Sequence, residues 1–529
     1  MRWGITIAAF ALAASGARTQ TAAPLRFEVQ LAREAASAPV SGRLLVFITN
    51  VKQPLDTIST GFGGAFGGAS TYTAAQEVEG LAPGEAVVIN PDTLAYPAPL
   101  SSAPKGDWQA MALLDADHSF ARSEQGPGDI TSAVVKLSNL DSAHAGTIPL
   151  LLTRVTPAPR KRTVDGVTEV KFTSPILSRF WGRPVTMRAA VVMPPDASKR
   201  RWPAVYRVPG FGGGDEGAFW SSRSLRDRMK RGVIPSMAHV FLDPETSLGH
   251  TEFADSVNNG PWGAALTREF IPFLEKRFGL LTDARGRFLT GHSSGGWSTL
   301  WLQVNYPTFF NGTWSTGPDP VDFRSFCTIN IDAKPLENAY VRPDGAARNL
   351  VRFGGADTMS FRDFARYEMV AGEYGGQMAS FEAVFSPRGQ DGRPMRLFNR
   401  HTGAIDPAVA RAWRRYDIHR VLAAGGKPLM AKLKGKLHII VGDRDNFHLN
   451  EAVVLLRDYL KSVHSDAYVE IVPGRDHMDL YTGGLENRIL QAIGKRWNAT
   501  GQAASPKRIE GSARAKGQTR QTLTKRERR

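Results

Sequence analysis

Between Arg287 and Val304 the chain narrows its own choice of fold. Arg287-Phe288-Leu289-Thr290 reads as a buried strand and Trp297–Val304 as a helix, joined by Gly291-His292-Ser293-Ser294-Gly295-Gly296. A strand turns into a helix over so few residues only where crowded positions lack a side chain, and Gly291 and Gly295 bracket Ser293 at that spacing. The turn would lift the Ser293 hydroxyl to the carboxyl end of a sheet. It would also set the hydroxyl beside the amide-rich, positive end of a helix. Flanking segments agree: Val185–Val192, Ala204–Arg207 and His239–Leu242 read as strands. Trp262–Phe278 has helical spacing, with Leu266, Phe270, Phe273 and Leu274 on one face. Strands alternating with helices predict an α/β fold, a mainly parallel sheet with helices on both faces.

A serine hydroxyl is a weak nucleophile until a base takes its proton. Lys436–Val441 reads as a buried strand and runs into Gly442-Asp443-Arg444-Asp445; Asn450–His464 carries a helical stripe of Val453, Leu456, Leu460 and Val463. Ala467–Val472 reads as the next strand, followed by the loop Pro473-Gly474-Arg475-Asp476-His477-Met478. The spacing suits one strand–helix–strand crossover, which returns both strand ends to the edge that holds Ser293. Asp445 is the predicted acid and His477 the predicted base, with Asp443 an alternative that otherwise reads as a turn residue. His448 starts a helix close to Asp445 and is a poor substitute for His477; Asp476 and Asp479 read as residues that shape the histidine loop.

A developing oxyanion needs two backbone N–H donors. One is predicted at Ser294. The strand Pro203–Val208 ends in Pro209-Gly210-Phe211-Gly212-Gly213-Gly214, which predicts Phe211 as the other donor and Gly212 as its second choice. His250, Trp262, Trp297 and Trp314 fall in segments converging on this edge and are candidates for a substrate pocket, with core packing the competing reading for each. Cys327, the only cysteine, reads as a small buried side chain. No histidine, cysteine or aspartate spacing points to a metal site, and no phosphate-binding loop or cofactor motif stands out.

The rest of the chain reads as attachments to this unit. Residues 1–17 resemble an export signal: Arg2, the apolar run Ile5–Ala14, and small residues Ser15-Gly16-Ala17. That predicts a periplasmic or secreted protein without a transmembrane segment. Residues 25–155 carry short strand patterns (Arg26–Gln30, Arg43–Ile48, Glu85–Ile89, Trp108–Leu114, Thr147–Leu152) separated by turn residues, which predict a β-sandwich-like domain. Gly61–Gly68 reads as a surface loop within it. A Pro- and Arg-rich joint, Thr156–Arg162, leads into the α/β unit over 163–498, in which 342–421 is a predicted cap insertion. Of the formal charge of +16, +7 lies in residues 499–529, which hold nine Lys/Arg against two Glu, and the remaining +9 is spread along the chain without a basic stripe. This tail is too polar to offset its ordering entropy and reads as disordered, so the charge does not mark a nucleic-acid protein.

The motifs resemble those of the esterase family of α/β-hydrolases that includes esterase D, feruloyl esterases and enterochelin esterase. The matching residues are the Pro-Gly-Phe-Gly-Gly loop, Phe253-Ala254-Asp255-Ser256 with Asn259-Gly260-Pro261-Trp262-Gly263, Gly291–Gly296, Gly442 with Asp445, and Gly474-Arg475-Asp476-His477. Two departures stand out. Pro209 occupies the place where the family often has His, and 152 residues separate Ser293 from Asp445. The resemblance implies a serine hydrolase that cleaves carboxylic esters through an acyl-enzyme, acting on a small-molecule ester without a cofactor. An acyltransferase on the same scaffold and a catalytically silent binding protein are the alternatives; oligomeric state is not legible in the sequence.

Overall fold

The computed structural model describes residues 24–50, 58, 71–158, 163–197 and 201–501. The export signal, the Gly61–Gly68 loop, part of the joint and nearly all of the basic tail lie outside these residues. Among the described residues nine strands make the N-terminal sheet: β1 (Arg26–Leu31), β2 (Val40–Thr49), β3 (Thr71–Leu81), β4 (Ala86–Ile89), β5 (Ala95–Tyr96), β6 (Gly106–Asp115), β7 (Ile130–Ser132), β8 (Val135–Leu140) and β9 (Thr147–Val155). They run in the order β4-β1-β9-β7-β6-β2-β3-β5, with β8 also pairing with β6. All pairs are antiparallel except β1 with β9. β1 shows the expected alternation, burying Phe27, Val29 and Leu31 between exposed Arg26, Glu28 and Gln30.

β2 and β6 break that alternation. Leu44, Val46 and Ile48 join a core with Phe27, Val29, Leu150 and Leu152. Leu45 and Phe47, on the opposite face, join a second core with Phe361, Phe364 and Tyr367 from far along the chain. A free sandwich would keep its outer face polar. Here the outer face is covered instead.

The second sheet contains β10 (Val167–Thr173), β11 (Thr186–Val192), β12 (Ala204–Val208), β13 (Ala238–Asp243), β14 (Arg287–His292), β15 (Thr313–Thr316), β16 (Leu437–Gly442) and β17 (Tyr468–Val472). Their order is β10-β11-β13-β12-β14-β15-β16-β17. β10, β11 and β13 pair antiparallel, and from β13 onward every pair is parallel. The chain lays β13 on one side of β12 and then crosses to lay β14 on the other. The carboxyl ends of β12 and β14 therefore meet at a switch point, where α/β sheets form their crevices.

Among the described residues the helices of eight residues or more are α1 (Gly217–Lys230), α2 (Ile271–Phe278), α3 (Ser294–Asn305), α4 (Phe361–Ala371), α5 (Gln377–Phe385), α6 (Ile418–Lys432), α7 (Leu449–Ser462) and α8 (Leu485–Gly501). Leu225 of α1 and Ile493 of α8 pack with Val205 and Phe288 on one face of the sheet. Ile271 and Leu274 of α2 pack with Tyr206 and Leu289 on the other. Trp262–Phe278 is helical throughout, but a π-turn over Leu266–Phe270 interrupts it. Leu266, Phe270 and Leu274 are buried while Phe273 is only partly so. Between β15 and β16, a span that contains the predicted insertion 342–421, no residue joins the second sheet. The span includes a hairpin (Asn349–Phe353 with Ala356–Ser360) and helices α4, α5 and α6.

Helix α4 lies against the N-terminal sheet. Arg366 donates to the Ala95 carbonyl at 2.8 Å, Tyr367 meets Tyr96 edge-on at 5.5 Å, and Arg43 of β2 donates to the Val370 carbonyl at 2.8 Å. No helix among the described residues is long and apolar enough to cross a membrane.

Candidate active site

The sharp turn after β14 brings Ser293 to φ 58°, ψ −127°, a conformation that non-glycine residues rarely hold. The glycines around it are required by contact. A Cβ on Gly291 would lie 2.1 Å from the Gly295 carbonyl oxygen, and one on Gly295 would lie 2.0 Å from the Val208 carbonyl oxygen. The turn and the end of β12 are thus in backbone contact. Trp297 N–H makes the first bond of α3, to the Ser293 carbonyl at 3.0 Å. The amides of Ser294, Gly295 and Gly296 therefore have no acceptor within the helix.

His477 and Asp445 follow from β17 and β16. His477 Nδ1 donates to Asp445 Oδ2 at 2.8 Å, with both side chains buried. The other Asp445 oxygen accepts from the amides of Phe447 at 2.9 Å and Leu449 at 3.2 Å. Burial opposes the charge on Asp445, but His477 and these amides outweigh it and hold the carboxyl below its usual range. Burial likewise disfavours the imidazolium, yet the Asp445 charge wins and His477 is raised. Asp443 takes the turn role, accepting from Gly474 N–H at 2.7 Å. His448 pairs with Glu451, and Asp476 and Asp479 bind amides of their own loop.

The imidazole of His477 packs against His292, the residue before Ser293, with ring centroids 4.4 Å apart. A Cβ on Gly317 would lie 3.1 Å from both rings. Burial and the neighbouring His477 charge push His292 down to about 3, so it stays neutral beside the base. Among the described residues Ser293 Oγ has no hydrogen-bond partner. Such a contact is often formed only with substrate in place.

The loop after β12 passes directly over this turn: a Cβ on Gly210 would sit 3.1 Å from Ser293 Cβ. Gly213 N–H donates to the Gly210 carbonyl at 3.0 Å. In a planar trans peptide this aims the Phe211 N–H the opposite way. Gly212 N–H donates to Glu245 Oε1 at 2.9 Å. A committed amide is a poor oxyanion donor, so Gly212 is corrected from donor to anchor.

A buried polar layer lies behind the nucleophile. Ser294 Oγ donates to Asp319 Oδ2 at 2.5 Å, and Gln377 of α5 donates to the same hydroxyl at 3.1 Å. Burial, with Glu252 adding repulsion, raises Asp319 to about 7. His250 Nδ1 faces Glu252 Oε1 at 3.3 Å, and its Nε2 donates to the Pro209 carbonyl at 3.2 Å. Burial disfavours the charge on His250, but Glu252 reverses this and carries it to about 9. Glu252 also accepts from Ser298 of α3 at 2.7 Å. His250 thus braces the loop after β12 through the Pro209 carbonyl. Asp319, Glu252 and Gln377 escaped the sequence reading. Asp319 has a positional signal, since it follows the carboxyl end of the strand beside β14; Gln377 sits in the insertion and has none.

The pocket expectation is corrected for all four residues. Trp262 packs on Phe253 and donates to Asn259, Trp297 stacks on Trp301 at 5.0 Å, and Trp314 stacks on His438 at 4.2 Å. These rings and His250 are buried. Large apolar rings beside a parallel sheet gain most from core packing. Cys327 is buried as read, with its thiol pushed up by burial. Asp322, Asp417 and His419 cluster, as do Asp115, Asp117 and Asp129, although no ligand spacing announces either group. Arg324 and Arg420 pair with the first.

The mainly parallel sheet and the strained serine turn give an α/β-hydrolase-like fold. Residues 183–321 match the family described as "Putative esterase". This segment carries the glycine-rich loop after β12 and Ser293, and over it the resemblance drawn from the motifs holds; Asp445 and His477 lie beyond it. No curated protein matches the chain in sequence. Similar solved structures include a ferulic acid esterase (11% identity, 63% of this chain and 98% of that chain, TM-score 0.40). Two others are an S-formylglutathione hydrolase from Agrobacterium tumefaciens (14%, 64% and 98%, TM-score 0.40) and the fluorophosphonate-binding serine hydrolase F of Staphylococcus aureus (14%, 63% and 98%, TM-score 0.37).

Proposed function

We propose that the chain is a serine hydrolase that cleaves carboxylic esters through an acyl-enzyme. The observation that carries this reading is the buried Asp445–His477 pair at 2.8 Å beside a serine held at φ 58°. Asp445 keeps the proton on His477 Nδ1, which leaves Nε2 to accept the Ser293 proton. Ser293 Oγ bonds to the ester carbonyl carbon, and the carbonyl oxygen becomes an oxyanion met by the Ser294 and Phe211 amides. The tetrahedral adduct collapses, the alcohol leaves with the proton from His477, and the acyl group remains on Ser293. Water then repeats the sequence, giving its proton to His477 and releasing the acid. Neutral His292 packs against the base without adding a competing charge.

The test is a panel of short-acyl, long-acyl, feruloyl and siderophore esters given to the wild type and to Ser293→Ala. Turnover of at least one class by the wild type, reduced about 10⁶-fold in the variant, is expected. Equal turnover by both proteins would reject the reading.

A further inference from the structure

The β6–β7 connection of the N-terminal sheet reaches out of its own domain to the oxyanion loop. Its shape is fixed from within. Asp115 accepts from the amides of Ser119 at 3.0 Å and Phe120 at 3.1 Å, and Asp129 accepts from those of Ala116 at 3.0 Å and Gly126 at 2.6 Å. The helical turn Phe120–Ser123 at its tip delivers Arg122. The Arg122 carbonyl oxygen would lie 2.9 Å from a Cβ on Gly212, whose φ is +75°. Glycine alone lets the two backbones approach so closely. The Arg122 guanidinium donates to the Thr246 carbonyl and lies 3.8 Å from Glu245 Oε2, with side-chain exposures of 18% and 13%. The other Glu245 oxygen holds the Gly212 amide at 2.9 Å.

We propose that Arg122, supplied by the N-terminal domain, is a positioning residue for ester hydrolysis: it anchors Glu245, and Glu245 anchors Gly212, so that the adjoining Phe211 amide faces the oxyanion. The proposal rests on the serine-esterase reading. Glu245 Oε2 is buried without a hydrogen-bond partner, and the Arg122 guanidinium, 3.8 Å away, is the cation that faces this oxygen. Three charged groups bear on Glu245. Burial is the largest influence and raises the carboxyl, His250, Arg122 and the Gly212 amide pull it down, Asp243 pushes it up, and together they leave it at about 7. Without Arg122 the carboxyl stays protonated to higher pH. A neutral carboxyl accepts from the Gly212 amide more weakly than a carboxylate does. The oxyanion loop then loses its register while the ground-state binding surface stays intact.

The experiment compares the full chain with Arg122→Ala, Arg122→Lys, Glu245→Gln and the Arg122→Ala/Glu245→Gln double variant on an activated short-acyl ester. Because an oxyanion donor acts in the transition state, Arg122→Ala is expected to lower kcat about tenfold with KM changed less than about twofold. The acid limb of its kcat profile is expected to move to higher pH, and Arg122→Lys to recover most of the loss. In the Glu245→Gln background Arg122→Ala is expected to change kcat by less than about twofold, since the pair acts as a unit. Wild-type kcat in Arg122→Ala, or an equal fall in both backgrounds, overturns the proposal. Should Arg122→Ala not fold, Arg122→Gln replaces it in the same cycle. A fluorophosphonate probe separates the two readings. A wild type that neither labels nor hydrolyses fails as an esterase. A wild type that does both while Arg122→Ala matches it removes only the role of Arg122.

Discussion

Ser293 has its unusual backbone imposed by its neighbours, and the chemistry depends on the contacts that impose it. Asp445 and Asp443 stand two residues apart, yet only Asp445 reaches His477, while Asp443 holds Gly474 N–H. Asp445→Asn is expected to lower kcat about 10⁴-fold by favouring the wrong imidazole tautomer. Asp443→Asn, measured in the same assay, is expected to stay within about tenfold of wild type. His477 is raised above the ordinary histidine range by Asp445 despite its burial. Because the base must be neutral to act, kcat/KM is expected to rise with pH and to level off only above that range. A limb at or below 6.5, the ordinary histidine value, would contradict the pairing. At this scale the strand-end positions of Ser293, Asp445 and His477 were legible, since each follows a recognisable strand. Asp319, Gln377 and Glu252 were not, because their roles arise from long-range burial. The four pocket candidates failed for the converse reason: an aromatic residue near a site in sequence packs wherever the core is nearest.

Among the elements, the strand–turn–helix from β14 to α3 admits the least change. A methyl group on Gly295 would meet the Val208 and Pro209 carbonyl oxygens at 2.0 and 2.4 Å, both backbone atoms. Gly295→Ala is expected to destabilise the protein by more than about 3 kcal/mol, read as a fall in melting temperature. An unchanged melting temperature would mean that the turn is looser than described. The parallel strands β12, β14 and β16 were legible because mainly apolar runs leading into glycine mark strands buried on both faces, and β17, a partly buried edge strand, was legible from its place after a helical stripe and before the Pro-Gly loop. β3 and β10 were missed, since Thr-Tyr-Thr-Ala-Ala-Gln-Glu-Val-Glu and Val-Thr-Glu-Val-Lys-Phe-Thr mix charges into their strands. Helix α1 was missed for a similar reason, its sequence being dense in Arg and Ser.

Across the whole molecule, the insertion binds the N-terminal sheet to the catalytic unit. Leu45 and Phe47 share a core with Phe361, Phe364 and Tyr367, and removing the sheet would bare that surface. Residues 163–529 expressed alone are expected to aggregate or bind hydrophobic dyes; a monodisperse, fully active fragment would contradict this. No sequence pattern announced the shared core, because alternation within β2 is erased when both faces are covered. Buried acids add a pH signature. Asp319 is lifted from 3.8 to about 7, so the folded state favours its neutral form. Its contribution is fully present below the unfolded value and is lost as pH rises through the folded one. The melting temperature of Asp319→Asn relative to wild type is therefore expected to climb between pH 4 and 7 and then level off. A pH-independent difference would show that Asp319 is ionised throughout.

The central claim is that Asp445 and His477 activate Ser293. The most direct measurement is intact-mass analysis after treatment with a fluorophosphonate, applied to the wild type, Ser293→Ala and His477→Ala. One adduct on Ser293 in the wild type, none in Ser293→Ala and strongly slowed labelling in His477→Ala is the predicted result. An unlabelled wild type, or equal labelling of all three proteins, would contradict it.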